Sequence, residues 1–490
     1  MTENLAGSMK KFNGTFWAAI AVELLHCLAS YTMLDYLIVY LAQDLGFGDI
    51  RANALYGMLL FAGCFLPILI GALADRYGFR ETMVVSLTVM VAGYFLASQV
   101  TSYPGMAAAL IVIALGGAVI KPVIAGTVKS CSDESNRSLG FSIYYTVINI
   151  GSSIAPFLAN GVRVSTGHPG LILVASGIVE AFALAVTFFF FRNVEIDESA
   201  KAKPLLKVLS EMAVVLGNAR LMITAAGCAA IYFACGHYEI EGRTIAAGIA
   251  AWVGLNLLWD FTGKLAAGEK WGRGPLLDRQ RFGDGRLLGF IIIFSGVWAL
   301  YSQIWTNIPL YITTLDPAMK AHIEWFQAVD PIMIVLFQVL IGKWMGRFRP
   351  LPSMVAGIVI SSFAVGTVSL FGAHLGAWAV GISLGIWSVG EMMFSPRSVE
   401  YVTVIAPKDK LALYIGYGFL PLAIGFGVGP SLGAFLIRLF AKIGHAEWVW
   451  YGFGLWALVI AAALWIYDKL LSRSKSVGDA APPTEKNSAA

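Results

Sequence analysis

Several ionisable residues stand inside long apolar segments, where a charge is costly. Lys121 lies in the run GGAVIKPVIAGTV, Glu23 and His26 lie in the first apolar segment, and Glu391 lies five residues before Pro396. A lysine at the centre of a membrane helix costs about 2.5–3.5 kcal/mol on insertion scales, so it usually faces a partner or a water-filled cavity. These residue types could bind a charged solute or carry a proton.

Glu23 and His26 are three residues apart, which places them on one face of a helix. A carboxylate beside an imidazole in a low-dielectric interior can hold and pass a proton, because each charge depends on the other. We predict that this pair carries protons. The alternative is a neutral His26 that is hydrogen-bonded to backbone and packed among the helices.

Lys121 and Glu391 are the strongest candidates for contact with a charged solute. We predict that Lys121 binds an anion or couples charges, with Glu23 or Glu391 as its partner. Pro396 interrupts the helix that carries Glu391 and frees backbone carbonyls, so Glu391 could bind a substrate amine or a proton. The alternative for both residues is an ion pair with a purely structural role.

Further polar residues occur within or beside the apolar segments. Tyr145 and Asn149 are four residues apart and could hydrogen-bond a substrate or a neighbouring helix. Asp330 could act in gating with Lys320 or His322, or it could cap a helix.

Aromatic and amide side chains near residue 300 could line the same cavity. Trp298, Tyr301, Gln303 and Trp305 are the candidates, although tryptophans also anchor helices at the membrane interface. Glu180 is a weaker candidate. The predicted substrate-binding residues are Tyr31, Lys121, Tyr145, Asn149, Trp298, Gln303, Glu391 and Ser395. The predicted proton-coupling residues are Glu23, His26, Asp330 and Glu391.

The composition indicates that these side chains are held between membrane helices. Of 490 residues, 58% are hydrophobic and 13% are charged, whereas a soluble domain carries about 25% charged residues. Apolar runs of about 20 residues recur, which predicts an all-α polytopic membrane protein. The main predicted spans are 16–42, 53–74, 82–100, 104–128, 139–162, 170–191, 287–313, 325–346, 353–371, 374–396, 412–437 and 447–470.

Basic residues in the short loops predict the orientation of the spans. Those loops contain Arg76, Lys129, Lys201, Lys343 and Lys408. They fall on one side only if the number of spans between the sixth span and residue 287 is even. This supports two extra spans, 219–237 and 244–263, and a total of fourteen. Both termini are then cytoplasmic. We expect a six-helix bundle over 1–192, a linker with the extra spans over 193–286, a second bundle over 287–471 and a disordered tail over 472–490.

The sequence also argues against several function classes. The five cysteines lack metal-type spacing, the net charge of +4 is spread over loops, and no phosphate-cradling glycine loop occurs. We therefore expect no enzyme activity, no cofactor or metal, and no nucleic-acid partner. The expected partners are protons, a small-molecule or peptide substrate and the lipid bilayer. We expect a monomer in a bacterial inner membrane.

The loop after the second span reads GALADRYGFR, with Gly71, Asp75, Arg76, Gly78 and Arg80. It resembles the loop motif of the major facilitator superfamily. The resemblance implies two six-helix halves, a substrate site near the midplane and alternating access by rocking. Asp75 is then expected to form a contact that breaks as the halves move, the alternative being a generic basic turn.

Five further segments together resemble the proton-dependent oligopeptide transporter family of that superfamily. They are IKPVIAGTV (120–128), FSIYYTVINIGSSIAP (141–156), VWALYSQ (297–303), WFQAVDPIMIVL (325–336) and GEMMFSPRSVEYVTVIAP (390–407). The resemblance implies proton-coupled uptake of small peptides or peptide-like solutes.

The first helix departs from that family. Where the family has Glu-x-x-Glu-Arg and a later arginine, this chain has Glu23, His26, Cys27 and Leu34. In the family these positions serve proton coupling and grip the peptide carboxylate, so their change leaves two alternatives open. One is an exporter of a drug-like or siderophore-like metabolite, and the other is a membrane receptor that does not transport.

Overall fold

The computed structural model describes residues 12–133, 136–193, 285–405 and 418–478, with isolated positions between 227 and 262. The described part of the chain is α-helical, and twelve of its segments are long and apolar enough to cross a membrane. The protein is therefore an all-α multi-pass membrane protein, as predicted. Apart from the isolated positions, the two extra spans predicted at 219–237 and 244–263 lie outside the described residues.

The first six spans form the amino-terminal half. Its helices are α1 (Gly14–Val39), α2 (Gly48–Tyr77), α3 (Phe79–Gln99), α4 (Tyr103–Gly117), α5 (Ile120–Ser130), α6 (Arg137–Thr166) and α7 (Leu171–Phe190). A π-helical turn, Tyr40–Asp44, extends α1. Helix α1 packs on α6 and α7, which brings its polar residues against the inner surfaces of both helices.

The remaining six spans form the carboxy-terminal half. Its helices are α8 (Gly285–Tyr301), α9 (Asn307–Leu315), α10 (Ile323–Gln327), α11 (Val329–Met345), α12 (Pro350–Leu375), α13 (Ala377–Ile405), α14 (Leu420–Lys442) and α15 (Val449–Gly478). Helix α13 packs on α11 and α12, and α14 packs on α8. Because α15 continues to Gly478, the tail boundary predicted after residue 471 falls inside a helix.

The fourth span is broken where the sequence predicts one continuous helix over 104–128. Helix α4 ends at Gly117 and α5 begins at Ile120, so Pro122 occupies the first turn of a new helix. Proline is tolerated in a first turn because the missing N–H has no intrahelical acceptor there, whereas inside a helix it removes a hydrogen bond. The break places Lys121 at the start of α5.

The seventh span, predicted as one helix over 287–313, is broken for the same reason. Helix α8 ends at Tyr301, a short 3₁₀ turn follows, and α9 begins at Asn307 with Pro309 in its first turn. Backbone groups released at such a break need other partners inside a membrane. Polar side chains in the 302–307 segment meet this requirement.

Close helix packing joins the two halves through α2 and α14. A Cβ atom placed on Gly57 would lie 2.7 Å from the carbonyl oxygen of Gly427. Small residues let membrane helices approach closely and are typical of such interfaces. Gly57 is therefore a contact point between the halves.

We expect Gly57→Ala to destabilise this arrangement by about 1–3 kcal/mol, the usual cost of overpacking. The thermal unfolding midpoint of the purified protein should fall. Gly63 is the matched control, because it lies on the same helix and has no atom within 4 Å of its Cβ position. Equal midpoints for Gly57→Ala and Gly63→Ala would contradict the prediction.

Candidate functional site

Lys121 presents a cation on the amino-terminal half. Its side chain is exposed although it belongs to a membrane span. Within the described residues it makes no ion pair within 4.0 Å, and its electrostatic neighbours include Tyr31, Glu23 and Cys64. Glu23, one of its two predicted partners, is thus nearby. A positive charge without a direct partner is available to a ligand.

A buried acidic pair lies on the carboxy-terminal half. Asp330 on α11 and Glu391 on α13 are close electrostatic neighbours. Ser388 donates a hydrogen bond to Asp330 Oδ1 at 2.6 Å, and Tyr301 donates one to Asp330 Oδ2 at 3.2 Å. Glu391 Oε2 is buried and has no partner among the described residues. Two carboxylates this close in a buried site favour sharing one proton or binding a cation.

The acidic pair faces the amino-terminal half. Glu391 is an electrostatic neighbour of both Tyr31 and Tyr145, and Tyr31 is also a neighbour of Lys121. Tyr31 is therefore near both the cation and the acidic pair. This arrangement places opposite charges on the two halves, with the Tyr31 side chain near both.

Lys320 and His322, the predicted gating partners of Asp330, have other contacts in this structure. Lys320 pairs with Asp44 at 2.7 Å instead, and the His322 ring packs against Trp325. Asp330 is also not a helix cap, because it is the second residue of α11. Its hydrogen bonds to α8 and α13 make it part of the acidic pair.

A cluster of aromatic rings reaches the acidic pair through Tyr301. The cluster consists of Trp298, Tyr301, Trp305, Trp387, Phe394 and Phe426, whose ring centroids lie 4.7–6.4 Å from their neighbours. Trp298 is buried in this cluster and is not an interface anchor. Its Nε1 has no partner within the described part of the chain. Aromatic faces favour a cation beside them.

Gln303, predicted to bind substrate, has a structural position. Its Nε2 donates to the carbonyls of Ala299 at 2.7 Å and Gly429 at 2.9 Å. Its Oε1 accepts a hydrogen bond from Asn307, which also donates to the Pro430 carbonyl. The side chain thus repairs the backbone at the break between α8 and α9 and is not free for a ligand.

The remaining predicted binding residues lie on α6 and α13. Tyr145 is exposed, and Ser395 is half-buried. Asn149 is buried and donates to the Tyr145 carbonyl at 2.9 Å. The Asn149 bond therefore stays within α6, whereas a bond to another helix or to substrate was expected.

Glu23 is a charged neighbour of His26, as predicted, but it is not the direct hydrogen-bond partner of His26. His26 Nδ1 lies 3.0 Å from Glu180 Oε1 on α7, and both side chains are buried. Glu23 Oε1 accepts a bond from the Cys27 thiol at 3.5 Å. Glu180, the weaker sequence candidate, is thus the direct partner of His26.

The loop motif after α2 contacts the end of α7. Gly78 has φ of +99°, a conformation that favours glycine. The Arg80 guanidinium donates to the Phe188 carbonyl at 2.8 Å, which satisfies a free carbonyl at the α7 terminus. Gly71 lies in α2, while the side chains of Asp75 and Arg76 are outside the described residues, so the predicted Asp75 contact stays a prediction.

Sequence reasoning missed a buried ion pair between the halves. Arg163 on α6 binds Glu324 on α10 through two bonds of 2.7 Å. Asn160 also donates to Glu324, at 3.1 Å, and the guanidinium lies 4.3 Å from the centroid of the Tyr36 ring. Two such parallel bonds to a carboxylate are the strong form of an arginine ion pair.

Two further contacts join the halves near this pair. Lys320 binds Asp44 at 2.7 Å, and Gln43 donates to Thr313 at 2.8 Å. Asp44 lies at the end where α1 leads into α2. These contacts hold the two halves together at that end, which we call the Arg163 end.

The fold and the sequence match one large family of transporters. The Major Facilitator Superfamily model matches residues 24–321, more than half of the chain. The chain belongs to the Major Facilitator Superfamily. As a member of this superfamily the protein is a transporter and not an enzyme.

Proteins similar to this superfamily member support the resemblance to the oligopeptide transporter family that was found in the sequence. Dipeptide and tripeptide permease A of Erwinia pyrifoliae is 25% identical over 439 residues, covering 84% of this chain and 83% of the permease. Crystal structures of a POT family transporter with a thioalcohol-conjugated peptide and with 5-aminolevulinic acid each match with a TM-score of 0.71 and 18% identity. Each covers 94% of this chain and 99% of the solved chain. The predicted resemblance is confirmed.

Proposed function

We propose that this protein is a proton-coupled symporter of small peptides or peptide-like solutes that works by alternating access. The observation that carries the proposal is the exposed Lys121 on one half opposite the buried Asp330–Glu391 pair on the other. A solute with a positive and a negative end complements these two groups of opposite charge. The printed names of the relatives, which are dipeptide and tripeptide permeases, support the same substrate class.

The two ends of a peptide would bind to different charged groups. Its amino group would bind Glu391 and Asp330, where the aromatic cluster adds attraction for a cation. Its carboxylate would bind Lys121, which has no ion-pair partner within the described residues. Tyr31 is near Lys121 and Glu391, Tyr145 is near Glu391 and Asp330, and both tyrosines would hydrogen-bond the solute.

Protons would enter through the buried acids and histidine. Glu23, His26, Asp330 and Glu391 are the candidates, because each is buried in a span and each has a charged or titratable neighbour. Ionisable residues in such positions are typical of proton relays. Protonation of the acidic pair would also weaken its hold on an amine and so favour release.

The transport cycle would require the Arg163 end to open and close. The two halves would rock around the central site, with the loop motif at Gly78 and Arg80 at the opposite end of α2. We propose a monomer in a bacterial inner membrane, with both termini cytoplasmic and no cofactor or metal.

The direct test is uptake of labelled dipeptides and tripeptides into proteoliposomes. We expect accumulation above the external concentration when an inward proton gradient is imposed, and loss of that accumulation with a proton ionophore. Empty liposomes and liposomes without a gradient are the controls. Uptake that is the same with and without the proton gradient would contradict proton coupling.

One observation favours a second candidate, an exporter of a non-peptide metabolite. The positions that hold arginines in the first helix of the peptide transporters are Cys27 and Leu34 here. A peptide carboxylate would then have fewer cations to bind. Absence of uptake over a broad peptide panel, in folded protein, would favour the exporter. Absence of movement of any solute would favour a receptor.

A further inference from the structure

The hydrogen-bonded pair of His26 and Glu180 lies within the amino-terminal half. His26 Nδ1 and Glu180 Oε1 are 3.0 Å apart, and the two side chains are 7% and 0% exposed. The pair connects α1 with α7, and neither residue belongs to the contacts between the halves. It is therefore separate from both the acidic pair and the Arg163 end.

The pair is not fully satisfied by hydrogen bonds. Glu180 Oε2 is buried and has no partner among the described residues, and the same holds for Glu23 Oε2, one turn away on α1. A purely structural ion pair normally has its remaining oxygens hydrogen-bonded, because an unsatisfied buried oxygen is costly. Two unpartnered carboxylate oxygens next to an imidazole offer positions for an added proton.

Charged and titratable groups lie near the pair on several of the helices around it. Neighbours of the pair are Glu23 and Cys27 on α1, Tyr94 on α3 and Lys121 on α5, and Tyr144 on α6 is a neighbour of Glu23. Lys121 is an electrostatic neighbour of His26 and of Glu23. The pair therefore has an electrostatic connection to the cation that faces the solute.

We propose that His26 and Glu180 form the proton-binding site that couples transport, and that Glu180 is a coupling residue of this chain. The inference rests on the proposed function, which supplies the proton gradient and the solute. The coupling proton would then bind a pair that connects α1 with α7, and not the Glu23–His26 pair within α1.

The proton acts on Lys121 through charge. With His26 neutral and both glutamates ionised, the group of Glu23, His26 and Glu180 has a charge of −2; one added proton makes it −1. The less negative group attracts Lys121 less, and the ammonium is then free for the carboxylate of a solute. Because linkage is reciprocal, a bound carboxylate in turn favours the protonated group.

The experiment compares two assays of the same proteoliposomes. Gradient-driven accumulation needs the coupling proton, whereas exchange of labelled for unlabelled dipeptide at equal pH needs only binding and rocking. We expect Glu180→Gln, which fixes the less negative state, to lower accumulation at least tenfold and to keep exchange within threefold of wild type. We expect His26→Gln to lower accumulation at least tenfold. Ser176→Ala is the control, because Ser176 is buried one turn before Glu180 and its hydroxyl has no described partner. It should leave both assays unchanged.

Several outcomes would overturn the inference. One is wild-type accumulation in Glu180→Gln, and another is equal loss of accumulation and exchange in folded Glu180→Gln, which indicates a structural pair. If Glu180→Gln does not fold, the same two assays are made on Glu180→Asp and His26→Gln. Wild-type accumulation in His26→Gln then rejects the proposed proton site. If the wild-type protein itself exchanges dipeptide but never accumulates it, the proposed proton coupling fails as well, and the two failures are thus distinguished.

Discussion

Arg163→Ala should abolish most transport and open the Arg163 end. The substitution leaves Glu324 buried without its bidentate partner, and breaking a buried ion pair in this way costs about 3–5 kcal/mol. The cost falls only on the conformation in which the halves meet at this end. At about 1.4 kcal/mol per tenfold change, that conformation should lose at least a hundredfold in population.

The measurement combines transport with a distance between the halves. Fluorophores attached through unnatural amino acids at the exposed positions 168 and 318 report the separation across the Arg163 end. We expect the distance to increase and peptide uptake to fall by about a hundredfold, following the population change.

Matched variants separate charge from geometry. Arg163→Lys keeps the charge and loses the bidentate contact, so its effect should be intermediate. The double variant Arg163→Glu with Glu324→Arg reverses the pair and should recover part of the uptake. Unchanged distance and uptake in Arg163→Ala would show that this ion pair does not control the opening of the end.

The second large effect is expected from Lys121→Gln. A hydrogen bond to a charged group contributes about 1.5–3 kcal/mol, so loss of the ammonium should reduce uptake of a dipeptide by about 10–100-fold. A dipeptide with an amidated carboxyl end lacks the group that Lys121 would bind. Uptake of this amidated dipeptide should therefore fall by less than about threefold from wild type to Lys121→Gln, which is within the scatter of such contributions.

Lys129→Gln is the matched control for this prediction. Lys129 lies on the same short helix and is exposed in its last turn. Competition of free and amidated dipeptides against a labelled peptide measures both affinities in one preparation. Equal losses for the two peptides would mean that Lys121 does not bind the carboxylate.

The spans and the main charges were predictable because their signals are local. Twelve apolar segments follow from composition, and Lys121 and Glu391 stand out because each is a charge within an apolar run. The helix breaks before Pro122 and Pro309 are also local, yet the predicted spans continued across them. Apolar character alone does not distinguish a broken helix from a continuous one.

The partners of these charges were not predictable from the sequence. His26 and Glu180 are 154 residues apart, and nothing in either segment specifies their contact. Arg163 and Glu324 stand just outside the predicted spans 139–162 and 325–346, where a charge is ordinary in a loop. Only the arrangement of α6 against α10 and α11 makes them a buried pair.

The break in the fourth span separates the position of Lys121 from the motion of its helix. Helix α5 has 11 residues and is thus about 16 Å long, and Lys121 is its second residue. If α5 pivots at the break, a tilt of about 10° moves the far end by about 3 Å but the Lys121 backbone by only a few tenths of an ångström. The inner part of the span can then swing as a lever while its fulcrum, which holds the ammonium against the solute, stays in place.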